Sequence, residues 1–365
     1  MAKPQPEALP VALPAAEGAA LGPSPRDRLS DKRLHGQFFT TTNPFVNKPF
    51  EKWIRSLPKG AVLLEPFAGS NNIVRMLRDL GYGNEWKSFD IAPVCGEQNS
   101  APDVAVVPRD TLADFPKGFD VAITNPPYLA KNSASRMGLE YAGGAYDDVY
   151  QKALQVMLEN LGYVAAIVPE SFITQGLFHD RLDCVVSLAF RMFEDTETPV
   201  CLALFVPLGS KKTRDFDIWN GNRFVGSFSD LSKLQLAPQK TFGWKFNDPS
   251  GPVGLHCVDG AKKGRIRFSI GSDIPGEAVK ASSRSITRIS LPGLDEKEAA
   301  LVVQIANKRL DEHRKETQDV FLTAFKGLRE DGRYRRRLDF TKAREFLDHG
   351  YAEHLEKPAQ KNGEK

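Results

Sequence analysis

AVLLEPFAGSNNIVRMLRDLGYG, residues 61–83, reads as one strand, one loop and one helix. AVLLEP (61–66) is short and apolar, and FAGSNN holds the small residues of a turn. IVRMLRDLGYG then repeats apolar residues at helical spacing and stops on glycine. Further apolar runs follow: WKSFD (86–90), DVAVVP (103–108), FDVAIT (119–124), GYVAAIVP (162–169), CVVSLAF (184–190) and VCLALFVP (200–207). Asp147 and Asp148 are the expected start of a helix running through VYQKALQVMLENLG, and SFITQGLFHDRLD (171–183) has a helix-like pattern. Short continuously apolar strands alternating with helices predict a parallel sheet covered on both faces, a doubly wound α/β fold. The expected organisation is a disordered Ala- and Pro-rich tail over 1–31, a catalytic α/β domain over 32–210, and a smaller domain over 211–365.

Hydrophobic residues at 41% and charged residues at 26% are ordinary for a folded globular chain, and no apolar run reaches the length of a membrane span. Cys95, Cys184, Cys201 and Cys257 are scattered without a C-x-x-C pair, and the six histidines form no H-E-x-x-H motif. Reduced thiols, a cytoplasmic location and no metal are therefore expected. Charge is uneven. From residue 211 on there are 30 Lys and Arg against 22 Asp and Glu, leaving 19 against 24 before it out of the 49 and 46 of the whole chain. The basic excess gathers in KKGRIR (262–267) and RYRRR (333–337), a pattern that is either a solvated surface or a set of phosphate contacts.

In a doubly wound sheet, ligands bind at the carboxyl ends of strands, so the residues just after each strand carry the chemistry. Glu65, Phe67, Ala68 and Gly69 follow the first strand, where small residues permit close approach of a ligand to the backbone. The absence of G-x-G-x-x-G argues against a dinucleotide. Asp90 ends the second strand and is placed to accept from ribose hydroxyls; Asp110 follows the third and is placed to accept from an exocyclic amine. Together they describe a pocket for a nucleoside without a phosphate chain, which S-adenosylmethionine fits. Asn125-Pro126-Pro127-Tyr128 follows the fourth strand. Its prolines remove two donors and fix φ, leaving the Asn125 amide and the Pro126 carbonyl as rigid acceptors. Two acceptors on the hydrogens of an aromatic amine localise its lone pair toward an incoming methyl group, and Tyr128 offers a flat face to the base.

GQFFTT (36–41), LEPFAGS (64–70), Asp90, Asp110 and NPPY (125–128), continuing through DDVYQKALQ (147–155), IVPESF (167–172) and FEDTETPVCLALF (193–205), resemble the gamma-class DNA amino-methyltransferases. These are the adenine-specific enzymes of type II modification systems. The resemblance implies a Rossmann-like methyltransferase domain followed by a target-recognition domain, with S-adenosylmethionine as cofactor and double-stranded DNA as partner. It implies that Phe38, Phe39, Thr40 and Thr41 fold over the methionine end of the cofactor, and that Glu65 and Phe67 to Gly69 line its pocket. Asp90 would hold the ribose and Asp110 the adenine amine. Asn125 to Tyr128 would carry the chemistry, with Phe193 as a second aromatic against a flipped base. By position and charge, Lys262, Lys263, Arg265, Arg267, Arg333, Arg335, Arg336 and Arg337 are expected on DNA. The family often has a second glycine where this chain has Asn71 or Asn72. N4-cytosine or RNA adenine methylation, and a DNA-binding regulator on an inactive methylase fold, are the alternative readings. A separate restriction endonuclease is a candidate partner, and a monomer suits an asymmetric target.

Overall fold

The computed structural model describes residues 42–93, 96–188, 190, 192, 198–211 and 213–361. The tail over 1–31, Phe38 to Thr41, Cys95 and Phe193 lie outside the described residues. The first helix, α1 (Lys48–Arg55), is capped by the Asn47 side chain, which accepts from the Phe50 N–H at 2.9 Å. Strand β1 (Leu63–Glu65), helix α2 (Asn72–Asp79), β2 (Trp86–Asp90), β3 (Val106–Pro108) and β4 (Val121–Thr124) follow. Next come α3 (Lys131–Met137), α4 (Val149–Asn160), β5 (Tyr163–Pro169), β6 (Leu182–Ser187), β7 (Val200–Phe205), β8 (Asp217–Asn220) and β9 (Arg223–Ser227).

These nine strands form one sheet in the order β3-β2-β1-β4-β5-β7-β6-β8-β9. β1 pairs in parallel with both β2 and β4, so strand order reverses beside it. β4 and β7 are buried along their whole length, as a sheet covered on both faces requires. The result is a mixed α/β, Rossmann-like fold followed by an additional helical and sheet region. The sheet is not purely parallel: β7 runs antiparallel between β5 and β6. It joins β6 directly through residues 188–199, a connection that returns the chain alongside its neighbour in the opposite direction. The sheet also runs past residue 210 to take in β8 and β9. The helix-like stretch 171–183 is a 3-10 turn over Glu170–Thr174 and then irregular chain, because Gly176 and Phe178 both take positive φ.

After helix α5 (Phe228–Lys233) the chain builds a second core. Strands β10 (Lys245–Phe246), β11 (Val253–His256), β12 (Arg267–Ile270) and β13 (Ile286–Ser290) form an antiparallel sheet. Long helices α6 (Glu296–Thr317) and α7 (Phe340–Lys361) pack with it, burying Val253, Leu255, Phe268, Ile289, Val302 and Phe346 together. Between the helices lies a hairpin of β14 (Thr323–Leu328) and β15 (Tyr334–Arg337). No helix among the described residues is long and apolar enough to cross a membrane.

Candidate functional site

Because β1 lies between β2 and β4, the carboxyl ends of these three strands stand side by side, and the loops leaving them are tied together. Asp90 is buried; its Oδ2 accepts the Gly69 N–H and its Oδ1 the Ala92 N–H, each at 2.8 Å. One carboxylate thus fixes the loop after β1 to the loop after β2. Gly69 has φ 49° and Asn71 φ 56°, both left-handed. Asn71 therefore takes a conformation that glycine adopts freely, and asparagine is among the few other residues that tolerate it. Its amide holds the position by donating to the Val104 carbonyl at 2.8 Å and to Asn99 Oδ1 at 3.0 Å.

Glu65 is 1% exposed and accepts from the Thr124 hydroxyl and, at 3.2 Å, from the Phe67 N–H. Burial pushes its carboxyl up to about 8, the Asp90 charge adding to the rise, so Glu65 is mostly protonated at neutral pH. Asp110, expected on a ligand amine, is exposed and accepts from the N–H groups of Leu112 and Ala113 at 3.0 and 3.3 Å. It caps its own turn.

Asn125 to Tyr128 leave the end of β4. The Tyr128 hydroxyl donates toward Asn125 Oδ1, 2.5 Å away, and toward the Ile167 carbonyl of β5 at 2.7 Å; its single proton serves one at a time. The ring is 9% exposed and lies edge-on to Tyr150, with centroids 6.2 Å apart. The sequence suggests an open face here; in this structure Tyr128 is part of the core. Burial raises its hydroxyl well above the ordinary tyrosine value.

Three residues to which the sequence reading assigns no role in the site lie at or beside it. Thr124 holds Glu65 across the β1–β4 pair. Asp148, expected only as a helix start, both caps α4 and accepts from the Leu129 N–H at 2.9 Å, anchoring the far side of the proline turn. Ile91 is 58% exposed directly after buried Asp90.

The basic clusters differ in their surroundings. Lys262, Lys263, Arg265 and Arg267 are exposed in and after the loop joining β11 to β12, with no carboxylate partner among the described residues. Arg333 and Arg337 are half-buried. Arg335 donates to the Asp259 carbonyl at 2.7 Å and lies over the Phe325 ring at 5.1 Å. Arg336, expected on DNA, is 9% exposed and grips Glu170 with two bonds of 3.0 and 3.2 Å. A cation enclosed in that way is unavailable to phosphate, which corrects the expectation for this residue.

No family model matches the chain. It is 25% identical over 237 residues to modification methylase CviBIII of Paramecium bursaria Chlorella virus NC1A; the alignment covers 58% of this chain and 58% of that relative. Among solved structures, a type I restriction-modification methyltransferase subunit from Streptococcus thermophilus is similar, with TM-score 0.36 and 17% identity over 54% of this chain and 52% of that one. A modification subunit of a putative type I restriction enzyme from Vibrio vulnificus YJ016 aligns with TM-score 0.37 and 15% identity, over 53% and 48%. The fold assignment rests on strand order, not on these superpositions.

Proposed function

We propose that the protein is an S-adenosylmethionine-dependent DNA methyltransferase of the restriction-modification type, acting on the N6 amine of an adenine flipped from duplex DNA. The observation that carries the reading is the Asn125-Pro126-Pro127-Tyr128 turn at the end of β4, adjacent to Glu65, Gly69 and Asp90 at the ends of β1 and β2. The similarity to a modification methylase supports it.

The residues present fit the cofactor. A carboxylate offers about four acceptor sites, so Asp90 can take a ribose hydroxyl beside its bonds to the Gly69 and Ala92 N–H groups. Gly69 leaves no side chain against the ligand, and Ile91 offers an apolar face to a purine. When bound, S-adenosylmethionine supplies an electrophilic methyl group on a sulfonium. Glu65, ionised by that neighbouring positive charge, would face the cationic end. The Asn125 amide oxygen and the Pro126 carbonyl accept from the target amine and raise the electron density on its nitrogen. Tyr128 first orients Asn125 and, once its ring is uncovered, stacks on the base, with Phe193 as its partner. The amine gives one proton to solvent after the new carbon–nitrogen bond forms. Phe38 to Thr41 would close over the methionine end. Lys262, Lys263, Arg265 and Arg267 would contact phosphates, with Arg333 at the margin.

The test is mass spectrometry of nucleosides from the DNA of cells expressing the protein, with sequencing to map the modified base. N6-methyladenine at one short motif is expected. N4-methylcytosine moves the substrate to cytosine, and unmodified DNA removes the DNA assignment.

A further inference from the structure

Alternate residues of a strand share a face, and β15 presents Tyr334 and Arg336 on the face that meets the large sheet. The Tyr334 hydroxyl lies 3.3 Å from the Phe190 carbonyl, to which it donates, and it accepts from the Val200 N–H at 3.4 Å. Arg336 holds both oxygens of Glu170, the residue that follows β5 directly, and the Ser187 hydroxyl of β6 donates to the same carboxylate. Three residues back along β5 stands Ile167, whose carbonyl receives the Tyr128 hydroxyl next to Asn125.

On its other side, Arg336 is bonded to the base of the exposed basic loop. Its N–H donates to Asp259 Oδ2 at 3.2 Å, and the Asp259 N–H donates to the Arg336 carbonyl at 3.0 Å. Asp259 is itself locked by two bonds from Arg314, at 2.9 and 2.8 Å. The next residues, Gly260 to Gly264, carry Lys262 and Lys263, and the Gly260 N–H closes this loop on the Gly264 carbonyl at 3.0 Å. At Gly260 a β-carbon would stand 1.6 Å from the Lys263 carbonyl oxygen, so the loop has little freedom at its root. An unbroken series of bonds therefore joins the loop that bears the exposed cations to the turn that bears Asn125.

We propose that Arg336 and Glu170 are positioning residues that couple DNA engagement at the Lys262–Arg265 loop to the Asn125–Tyr128 turn. The proposal rests on the reading above. A buried ion pair adds little net stability over apolar groups of equal size, so its value here lies in fixing one geometry between the two regions. Arg336 itself touches no substrate in this scheme; it acts through β5.

The test compares the wild type with the double variant Glu170→Met/Arg336→Met, which removes both charges and keeps the volume. Hydrogen exchange is followed in a peptide spanning residues 121–131, without DNA and with sheared genomic DNA from a methylase-deficient strain. Without DNA, amide exchange in that peptide is expected to be at least threefold faster in the variant; equal exchange overturns the link, whatever the enzyme's substrate. With DNA, affinity within about twofold of wild type, together with loss of DNA-dependent protection and a single-turnover methyl transfer slowed at least tenfold, is the expected result. Wild-type protection and rate in the variant overturn the coupling. If the double variant does not fold, Arg336→Lys, which keeps the charge and loses the fork, is held to the same readouts, with a threefold slowing expected and an unchanged rate contradicting it. A wild type that transfers no methyl group to any DNA removes the functional reading, and the DNA-free exchange comparison still decides the mechanical link.

Discussion

KKGRIR at 262–267 and RYRRR at 333–337 each carry four basic residues and no acidic one, and the fold puts them to different uses. The first is a loop running into the start of a strand, its four cations in solvent without carboxylate partners among the described residues. The second lies on and beside a strand whose alternate side chains are drawn inward, so that Tyr334 and Arg336 meet the nine-stranded sheet while Arg335 folds over Phe325. A basic run is therefore a statement about charge, and its meaning depends on whether a carboxylate from elsewhere in the chain arrives to enclose it.

That contrast breaks most visibly at Arg336. Arg336→Ala leaves Glu170 buried without its cation, which costs about 3–5 kcal/mol of stability; the urea midpoint should fall accordingly, and an unchanged midpoint would place the pair in solvent. Replacing Lys262, Lys263, Arg265 and Arg267 by Gln should do the reverse. Stability changes little, while DNA affinity falls roughly a hundredfold and the slope of log affinity against log salt decreases by about 4, one for each phosphate no longer neutralised. A preserved salt slope would make this loop a merely solvated surface.

Glu65 is a third case, a buried acid to whose shift no cation contributes. Its carboxyl is neutral below about 8, and pairing with a positively charged ligand requires loss of that proton. Affinity for S-adenosylmethionine should accordingly rise with pH, by about tenfold for each unit, until it levels near that value. Glu65→Gln should flatten the profile; a flat wild-type profile would mean that Glu65 stays neutral and only orients its neighbours. The smallest effect is expected at Arg335, already occupied by Asp259 and Phe325. Arg335→Gln should change DNA affinity by no more than about twofold if its bond to the Asp259 carbonyl and its place over Phe325 keep it from phosphate, and a tenfold loss would merge the two clusters into one surface.

The nine-stranded sheet is largely legible because a buried strand is announced by its own residues. WKSFD coincides with β2, FDVAIT contains β4 and GYVAAIVP contains β5, each closed by a polar residue or a proline. Helix α4 begins where Asp148 predicts, through a capping box with Gln151. Helix α3 was hidden in a stretch rich in Gly and Ser, and Gly176 and Phe178 broke the helical pattern read over 171–183. The antiparallel insertion of β7 left no mark, since the apolarity of VCLALF fits either direction. At the site, Glu65, Asp90 and Asn125 follow from their places after strands. The Glu170–Arg336 pair does not, because its partners are 166 residues apart and each looks like an ordinary surface charge until the chain is folded. The C-terminal sheet and helices carry no motif, and their short strands, separated by connections containing Gly and Pro, give only a composition.

The most direct test of the account is methyl transfer to DNA by Asn125→Ala beside the wild type, read by nucleoside mass spectrometry, with cofactor affinity measured on the same samples. The account predicts that N6-methyladenine formation falls by at least a thousandfold, on the order of 4 kcal/mol of transition-state stabilisation, while S-adenosylhomocysteine still binds within a few fold of the wild type. Undiminished transfer by the variant would contradict it.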